Sequence, residues 1–473
     1  MSGSSAYRLL HRTVQSWLMP KCGPCRLMKA RTLRFWFSAT PNTTPKTTYS
    51  IPFDSPWESG GPDVRRQMKN ERGRMAILGA GIMGSSLAIT MARKGYAVSL
   101  FDKENEPLAC ASRWNEGKIH LGYLYGADPS MQTARHLISG GLCFGALVSE
   151  LIETDLKAHT TSSDDLYLVH RDSVVDADTL RTTFERVDAL LQSHPDAPSY
   201  LVDVSAARVK RLSKGELANI NGSEKIVAAF QVPERSVNTR WIADRLCDAI
   251  RAEPNISLRM AAKVCATTPI DGVDGPWLVA VEGEKNETFD VVVNCLWEGR
   301  LAIDRTAGLE PVPGWSHRYR LCLFGRTKRS VDVPCAVVAL GPFGDIKNYD
   351  GCNFYISWYP SGLLAETSAL SIEMPKALDA AERHQFINDV RARITELVPA
   401  VSSMFDYAQE LEVRGGFVFA QGRGSLSDPK ATIHRRDQFG VNRLGGYISV
   451  DTGKYSTAPW LADRLAKQIS GVD

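Results

Sequence analysis

The segment that most constrains the fold is a glycine-rich turn between an apolar run and a helix-forming stretch. The run 75–78 leads into Gly79, Gly81 and Gly84, which have the spacing Gly-x-Gly-x-x-Gly. Apolar residues at helical spacing follow, and a second apolar run occupies 97–101. This strand–turn–helix–strand order is typical of the first unit of a doubly wound α/β domain. The sequence therefore predicts a Rossmann-like domain that binds an ADP-containing cofactor.

Each residue type in the motif has a physical task. Gly79 permits the tight turn, Gly81 lets the backbone approach a pyrophosphate, and Gly84 lets the helix pack closely on the strand. The helix N-terminus presents free N–H groups and a partial positive charge to the phosphates. Asp102 follows the second run, 18 residues after Gly84, where it can accept hydrogen bonds from a ribose. The acid favours FAD or NAD over NADP, because it accepts from a free 2′-hydroxyl group.

Three further segments separate FAD from NAD, since the glycine motif alone also resembles the start of NAD-linked β-hydroxyacid and hydroxyacyl-CoA dehydrogenases. They are 111–123, just after the second run, 289–295, and 445–459, before a closing helix. With the glycine motif they resemble the D-amino-acid-oxidase-like superfamily of FAD-dependent oxidoreductases. That superfamily includes glycine and sarcosine oxidases and the L-2-hydroxyglutarate oxidases and dehydrogenases. The resemblance spans roughly 74–471, and unmatched stretches separate the four short motifs.

The resemblance implies a flavin site, and we find no His or Cys placed for a covalent link, so we expect non-covalent FAD. Ser112, Asn115 and Gly117 form a polar loop suited to a ribityl chain or pyrophosphate. The segment 453–456 precedes a helix, so its backbone N–H groups could face the pyrimidine edge of the flavin. By resemblance, Val264 lies beside the adenine. The expected cofactor-binding residues are Gly79, Gly81, Ile82, Met83, Gly84, Asp102, Lys103, Ser112, Asn115, Gly117, Val264, Cys295, Gly453, Lys454, Tyr455 and Ser456. The stretch 295–300 is bulkier and more charged than the family pattern, which affects the geometry near the flavin.

Two residues are candidates for catalysis, the expected reaction being removal of a hydride from a small amino acid or 2-hydroxy acid. His120 follows the polar loop, and a similar Ile-His-x-Gly run occurs in L-2-hydroxyglutarate oxidases. It can be a general base, which tilts the expectation slightly toward a hydroxy acid, or a structural histidine. Lys454 can stabilise the reduced flavin or help activate oxygen, or form an ordinary salt bridge.

Other side chains are weaker candidates. Carboxylate-binding arginines are sought among Arg318, Arg320, Arg414 and Arg423, although most arginines are solvated surface residues. Tyrosines that either line a pocket or pack the sheet are Tyr123, Tyr125, Tyr319, Tyr355 and Tyr359. We expect no metal site, because no His, Cys and carboxylate cluster has metal-ligand spacing.

The predicted architecture is α/β, with the Rossmann-like FAD-binding domain interleaved with an α+β substrate domain on a mixed or antiparallel sheet. The FAD-binding parts are 74–165, 233–305 and 413–473, and the substrate parts are 166–232 and 306–412. We also expect Thr239 to cap a helix over 240–251. We expect the electron acceptor to be oxygen or another carrier.

Charge is unevenly distributed along the chain. Residues 1–53 contain eight Lys and Arg but no Asp or Glu, which leaves 48 basic and 53 acidic residues for the rest. A nucleic-acid partner is therefore not indicated. We also see no apolar run long enough for a transmembrane helix.

The basic leader, 1–72, resembles a mitochondrial presequence, or is disordered or an upstream extension of a protein that starts near Met75. We therefore expect the cytoplasm, or the mitochondrial matrix if the leader is a presequence. Cys22 and Cys25 have the spacing of a thioredoxin-type redox pair. Such a pair needs a βαβ unit around it and none is predicted here, so a chance match is the simpler explanation. The other eight cysteines are scattered singly and are expected to be small buried side chains.

Two alternatives to a flavin-dependent enzyme stay open on the sequence alone. One is an NAD-dependent hydroxyacid dehydrogenase, and the other is a catalytically silent flavin-fold binding protein. The bulky pair Trp297 and Glu298 would suit the second if it blocked the flavin face.

Overall fold

The computed structural model describes residues 73–471, so the predictions for the leader and for Cys22 and Cys25 lie outside the described residues. The strands are β1 Arg74–Leu78, β2 Ala97–Phe101, β3 Lys118–Ile119, β4 Asp165–His170, β5 Lys210–Arg211, β6 Ile226–Val232, β7 Arg235–Ser236, β8 Ile256–Arg259, β9 Val264–Pro269, β10 Trp277–Val281, β11 Glu287–Phe289, β12 Val291–Asn294, β13 Ser316–Thr327, β14 Ala336–Ala339, β15 Gly344–Asn348, β16 Asn353–Trp358, β17 Leu363–Thr367, β18 Ala408–Ala420, β19 Gly440–Leu444 and β20 Tyr447–Asp451. The α-helices are α1 Ile82–Arg93, α2 Gln132–Ile152, α3 Ala177–Ser193, α4 Lys214–Ile220, α5 Thr239–Ala252, α6 Arg300–Thr306, α7 Tyr359–Gly362, α8 Ala380–Leu397, α9 Ser402–Asp406 and α10 Ala458–Ser470.

A six-stranded sheet carries the glycine motif. Its strand order is β19-β20-β12-β1-β2-β8, and all pairs are parallel except β19 with β20. Met75 and Ile77 face a core shared with α1, α2, α5 and α10, while Ala76 and Leu78 face the small sheet β9-β10-β11. Both faces are covered, which explains why these strands are apolar runs without alternation. The carboxyl ends of β1, β2, β12 and β20 meet at one edge, where ligands bind in open α/β sheets.

A second, nine-stranded sheet has the order β17-β13-β16-β15-β14-β4-β6-β5, and β18 pairs along β13. Only β4 and β14 are parallel, so the sheet is mixed, as predicted. The strands of the first sheet lie at 74–101, 256–259, 291–294 and 440–451, and those of the second fall between them. The α/β class and the interleaving are thus confirmed, while the domain boundaries themselves stay predictions.

The two faces of the nine-stranded sheet differ in polarity. Leu321, Leu323, Ile346 and Ile356 pack against α8 in an apolar core. Alternate residues on the same strands point to the opposite face, because side chains alternate along a strand. That face carries Arg318, Arg320, Cys322, Asp345, Lys347, Tyr355 and Ser357. It is the polar surface from which the site is built.

Two local predictions are wrong. The N-cap of α5 is Asn238, whose side chain accepts from the backbone N–H groups of Arg240 and Trp241. Thr239 is the first helical residue, and its hydroxyl group donates to the carbonyl oxygen of Arg113 at 2.7 Å instead of capping the helix. Among the described cysteines, Cys265 is exposed rather than buried, since β9 lies in the small sheet. Within 73–471, no helix has the length and apolar composition needed to cross a membrane.

Candidate active site

The glycine turn has the geometry that its sequence predicts. Gly79 has φ of +96°, and a Cβ there would lie 2.6 Å from the carbonyl oxygen of Cys295. A Cβ at Gly84 would lie 1.9 Å from the carbonyl oxygen of Gly79. Both positions therefore exclude any residue larger than glycine. The two glycines allow α1 to pack closely on the ends of β1 and β12.

The first turn of α1 is capped by a side chain from another segment. Gly81 is its N-cap and supplies no side-chain hydrogen bond, so capping depends on Ser112, whose Oγ accepts from the N–H of Ile82 at 2.9 Å. Asp102 accepts from the N–H groups of Ala80 at 2.7 Å and Glu104 at 3.0 Å. Burial raises the pKa of Asp102. A carboxylate has about four acceptor positions, so Asp102 can fix the turn and still bind a ribose hydroxyl group.

The polar loop after β2 is held rigidly. Asn115 donates to the carbonyl oxygen of Ala111 at 2.8 Å and accepts from the N–H of Gly117 at 2.9 Å. Thr239 on α5 donates to the loop carbonyl of Arg113. Ser112, Asn115 and Gly117 are therefore fixed beside the N-terminus of α1, in contact with the glycine turn.

The C-terminal loop joins the same edge through a buried network. Asp451 accepts from the N–H of Gly453 at 2.9 Å, and its other oxygen is 3.2 Å from Arg300. Arg300 also pairs with Asp304 at 3.2 Å. The Oγ of Ser456 accepts from the N–H of His120 at 3.3 Å, so the two predicted flavin loops meet.

The bulky stretch 295–300 has partners on neighbouring elements. The indole of Trp297 donates to the carbonyl oxygen of Phe417 on β18 at 2.8 Å, with φ of +53° at Trp297. Glu298 pairs with Lys103 at 3.0 Å. Since β12, β1 and β2 are neighbours in that order, this ion pair spans the end of β1.

The predicted adenine neighbour lies at the β2 side of the edge. The N–H of Ala262 donates to the carbonyl oxygen of Asp102 at 2.8 Å, and Val264 begins β9 two residues later. At the other side, the N–H of Cys295 donates to the carbonyl oxygen of Leu78 at 2.7 Å. All the predicted cofactor segments thus lie along one edge of the six-stranded sheet.

His120 and Lys454 lie beside each other at this edge. The His120 side chain is 2% exposed, and its Nε2 atom is 3.9 Å from Oε1 of Glu116. Burial, followed by the charge of Lys454, lowers the pKa of His120 to about 4. Burial also lowers the pKa of Lys454 to about 8; Glu116 opposes this shift, and Arg436 adds to it. Burial acts to raise the pKa of Glu116, but the neighbouring His120 and the charge of Lys454 outweigh it, so this pKa is lowered.

Two of the four candidate arginines join this group. Arg318 is 3% exposed and donates to the Tyr359 hydroxyl group at 2.8 Å. Arg320 lies over the Tyr359 ring at 4.3 Å and donates to Ser357 at 3.5 Å. Both charges act on Lys454. Among the described residues, no carboxylate lies within 4.0 Å of either guanidinium group.

The other two arginines lie elsewhere. Arg414 is exposed and pairs with Glu412, and Arg423 is exposed and donates to the carbonyl oxygen of Trp315. The structure adds Arg436, which no sequence motif indicated. Its charge acts on Lys454, and the charge of Arg318 acts on it in turn.

The tyrosine candidates have different environments. Tyr123 donates to Asp188, Tyr319 packs against Phe417, and Tyr355 packs against Phe324. Tyr359 and Tyr125 belong to the site: the Lys454 Nζ atom is 5.6 Å from the centre of the Tyr125 ring. The hydroxyl group of Tyr359 accepts from Arg318, and that of Tyr125 has no hydrogen-bond partner among the described residues.

A second group of buried charges lies next to His120. Lys118 is 2.7 Å from Glu234 and also pairs with Asp165, which is 2.6 Å from Lys347. All four side chains are at most 1% exposed. Glu234 also accepts from the N–H of Leu121 at 2.7 Å. Sequence analysis missed this group, because its members come from four separate segments.

These residues fit FAD. Gly79 and Gly81 bring bare backbone to the N-terminus of α1, where a pyrophosphate binds in such folds, and Asp102 lies beside this turn, where it can bind a ribose. Four buried polar atoms around Lys454 have no hydrogen-bond partner among the described residues. They are His120 Nδ1, Tyr125 OH, Arg318 Nε and Arg320 Nε. Such atoms are costly unless a ligand satisfies them.

Comparisons with known proteins agree with this site. In structure, the chain is similar to glycine oxidase from Geobacillus kaustophilus, with 15% identity and a TM-score of 0.60 over 85% of this chain and 96% of that one. It is similar to L-proline dehydrogenase from P. horikoshii, with 13% identity and a TM-score of 0.60 over 85% and 94%. It is also similar to L-alpha-glycerophosphate oxidase from Mycoplasma pneumoniae, solved with FAD bound, with 14% identity and a TM-score of 0.54 over 85% and 96%.

No curated protein sequence matches the chain. The family profile described as FAD dependent oxidoreductase, DAO, matches residues 74–431. That range is well over half of the chain, and the structural neighbours share the same fold. FAD is therefore the cofactor, in place of the NAD that the glycine motif left open, and the protein is an oxidoreductase. The chain belongs to the DAO family of FAD-dependent oxidoreductases.

Proposed function

We propose that this enzyme oxidises a small amino acid or 2-hydroxy acid at the carbon that bears the amine or hydroxyl group. The observation that carries the proposal is Arg318, a buried guanidinium group with one hydrogen bond, to Tyr359, and no carboxylate within 4.0 Å among the described residues. A buried, unpaired arginine beside the predicted flavin loops needs an anion. The carboxylate of the substrate supplies it.

FAD, when bound, supplies the acceptor for the two electrons and the hydrogen that leave the substrate carbon. Arg318 holds the carboxylate in a fork of two N–H groups, which fixes the orientation of the reacting carbon. His120 is neutral at physiological pH, because its pKa is lowered to about 4, so it can accept a proton from the substrate hydroxyl or amino group. Lys454, which has a pKa of about 8, helps Arg318 to neutralise negative charge in the site.

We place the cofactor along the edge of the six-stranded sheet. The adenosine contacts Asp102, Lys103 and Val264, and the pyrophosphate lies at 79–84. The ribityl chain and flavin contact the loop 112–117, Cys295 and the loop 453–456. The support is that these segments touch each other in the order that one dinucleotide would require. We propose that the link is non-covalent.

The amine and the alcohol both remain candidates, and His120 makes the hydroxy acid the first to test. Abstraction of a hydroxyl proton requires an unprotonated base within reach of that hydroxyl group, and neutral His120 is one. The structural neighbours include enzymes whose names specify glycine and L-proline, which keeps amino acids in the panel. Oxygen or another carrier accepts the electrons, and location in the cytoplasm or in the mitochondrial matrix stays a prediction.

The first experiment is the visible spectrum of the purified protein before and after acid precipitation. We expect flavin bands that move to the supernatant, followed by anaerobic bleaching with members of a panel of amino and 2-hydroxy acids. Flavin that stays in the pellet would contradict the non-covalent link. Bound flavin that dithionite reduces but no acid bleaches would contradict the proposed substrate class.

A variant tests the role of His120. His120→Asn should lower the rate of flavin reduction by about 100-fold, the usual range for a lost general base, while FAD content is unchanged. The matched control is His384→Asn, which changes an exposed histidine on α8. Equal rates in both variants would dispose of the base and leave His120 a structural residue.

A further inference from the structure

The proposed function does not use the charged end of the stretch 295–300. The last residue of this stretch, Arg300, is 5% exposed and begins α6. A buried guanidinium group is costly unless its charge and its N–H groups have partners. The partners of Arg300 therefore indicate what this part of the stretch does.

Arg300 joins the ends of two neighbouring strands. Its Nη1 atom donates to Oδ2 of Asp304 and to Oγ of Ser449, both at 3.2 Å, and its Nη2 atom donates to Oδ2 of Asp451 at 3.2 Å. Asp451 is the last residue of β20, which pairs in parallel with β12. The guanidinium group also lies over the ring of Phe419 on β18, 5.1 Å from its centre. One guanidinium fork thus ties the carboxyl end of β20 to the segment after β12.

Arg300 is itself fixed in position by a buried network. Asn294, at the end of β12, donates to the carbonyl oxygen of Arg300 and to Oδ1 of Asp304, both at 2.9 Å. The hydroxyl groups of Tyr447 and Ser449 donate to Asp304 at 2.8 Å. All five residues are at most 5% exposed. Arg300 therefore cannot change position without leaving several buried polar groups unpaired.

The network ends in the loop that we assign to the flavin. Oδ2 of Asp451 accepts from Arg300, and Oδ1 accepts from the backbone N–H of Gly453 at 2.9 Å. The hydroxyl group of Thr457 donates to the carbonyl oxygen of Lys454 at 2.7 Å, which closes the other end of the loop. Asp451 thus transmits the position of Arg300 to the backbone of 453–456.

The position of this backbone affects the two oxidation states of a flavin differently. The loop leads into α10 through a tight turn over Tyr455–Thr457, and the first N–H groups of a helix have no acceptor within the helix. When bound, FAD takes up two electrons and one proton from the substrate, which leaves one negative charge on the pyrimidine side of its ring. N–H groups held at that side favour the reduced form, and they do so best when they are fixed in advance.

We propose that Arg300 is a positioning residue: through Asp451 it holds the backbone N–H groups of the loop 453–456 where they stabilise the reduced flavin. This inference rests on the proposed function, in which that loop contacts the flavin. It goes further by naming a residue that sets the reduction potential. Arg300 acts through Asp451 and the loop, so its effect appears in the potential whichever acid is the substrate.

The test measures the midpoint potential of the holoprotein by reduction in the presence of a dye of known potential. Arg300→Met and Asp451→Asn break the same ion pair from opposite sides. We expect each to lower the preference for reduced over oxidised flavin by about 10-fold, which is a fall of about 30 mV for a two-electron couple. The control is Arg305→Met, which changes an exposed residue on the same helix and should leave the potential unchanged.

The sign of the change separates positioning from a direct effect of charge. Loss of the Arg300 cation alone would lower the potential, whereas loss of the Asp451 anion alone would raise it. A rise in Asp451→Asn, or an unchanged potential in both variants, would therefore overturn the proposal. In the double variant the potential should fall no further than in either single variant, because both changes act on one link. A fall equal to the sum of the two would show that the residues act independently and would reject the link.

A third variant keeps the test valid if Arg300→Met does not fold. Arg300→Lys retains the charge, but an ammonium group lacks the planar fork that bridges Asp304 and Asp451. Its potential should fall as in Arg300→Met. A Lys variant with the original potential would mean that charge alone matters and would reject positioning.

Bleaching by acids distinguishes this inference from the proposed function. If an amino or 2-hydroxy acid bleaches the flavin of the original protein while the variants keep its potential, the inference fails and the proposed function stands. If the variants have lowered potentials while no acid bleaches the flavin, the proposed substrate class fails and the role of Arg300 stands.

Discussion

Two groups of buried or half-buried cations lie within the same part of the fold, and they differ in whether a carboxylate of the protein pairs with them. Lys118 and Lys347 pair with Asp165 and Glu234, with two contacts of 2.6 and 2.7 Å; we call these four residues the paired cluster. The unpaired cluster, Arg318, Arg320, Arg436 and Lys454, has no carboxylate within 4.0 Å among the described residues.

The difference separates structure from function. A paired buried charge is complete without a ligand, and removal of one partner leaves an uncompensated charge. An unpaired buried cation weakens the free protein and gains its partner when an anion binds. Mutation of a cation that pairs with a carboxylate of the protein should therefore lower stability. Mutation of a cation without such a partner should weaken the binding of an anion.

The largest effect is expected in the paired cluster. Asp165→Asn leaves Lys118 with Glu234 and leaves Lys347 without an ion-pair partner among the described residues, so it should lower the free energy of unfolding by about 3–5 kcal/mol. Denaturant unfolding of the holoprotein measures it. The control is Glu410→Gln, which breaks an exposed pair with Arg326 and should leave the free energy of unfolding nearly unchanged, because solvent screens exposed pairs. Similar losses in the two variants would mean that burial of the cluster does not matter.

The unpaired cluster should respond in the opposite way. Arg318→Met should lower kcat/KM by about 100-fold, since a lost hydrogen bond to a charged group is worth about 1.5–3 kcal/mol. Its free energy of unfolding should stay unchanged or rise, because an unpaired buried charge is removed. Arg326→Met, on the same strand, should leave kcat/KM as it is. A loss of stability comparable to that of Asp165→Asn would place Arg318 with the structural charges.

A pH titration sharpens the comparison further. Because its pKa in the folded protein is about 8 against an ordinary value of 10.5, Lys454 loses its proton earlier in the folded state than in the unfolded one. Its charge therefore costs stability below pH 8, and this cost is lost progressively as the pH rises from 8 to 10.5. The charge of Lys454 helps to hold an anion in the site, so the affinity for a carboxylic acid that cannot be oxidised should fall above pH 8, by up to 10-fold per pH unit.

The groups that face Lys454 are Glu116, Arg318, Arg320, Arg436, His120 and Tyr125. Of these, His120 has a pKa of about 4, and burial raises that of Tyr125, so neither titrates near pH 8. Lys454→Met should flatten the profile between pH 7 and 9. If Lys454→Met still shows the fall in affinity above pH 8, another group causes it.

How much of the molecule the sequence predicts depends on how local the cause is. The turn at Gly79 and Gly84 and the acid at 102 follow from steric rules within one strand–turn–helix unit, and they appear as expected. The cap of α5 was misplaced by one residue, because Thr239 donates to a loop carbonyl more than 120 residues away in sequence.

The charge clusters were beyond sequence reasoning for the same reason. Asp165 and Lys347 are 182 residues apart, and they meet only through the pairing of β4 with β14 and of β14 with β15. Arg300 and Asp451 are 151 residues apart and meet across β12 and β20. The bulky stretch 295–300 looked like a departure near the flavin, whereas Arg300 within it holds the loop of Gly453. Pairing of opposite charges can be read from sequence only where strand register is known.

The smallest effect is expected at an ion pair of a third kind, partly exposed and outside both clusters. Lys103 and Glu298 are 3.0 Å apart with side chains 42% and 17% exposed, and they span the end of β1, where we place the cofactor. A partly exposed pair is worth about 0.2–1 kcal/mol, so Lys103→Met should speed FAD release by about 1.5- to 5-fold. The recovery of flavin fluorescence after dilution measures this rate, and added salt should reduce the difference between the variant and the original protein. Glu298→Gln is the matched variant, because it breaks the same pair from the other side. Equal changes in the two variants would assign the effect to the ion pair, whereas a larger change in Lys103→Met would assign the excess to the contact that we propose between Lys103 and the adenosine.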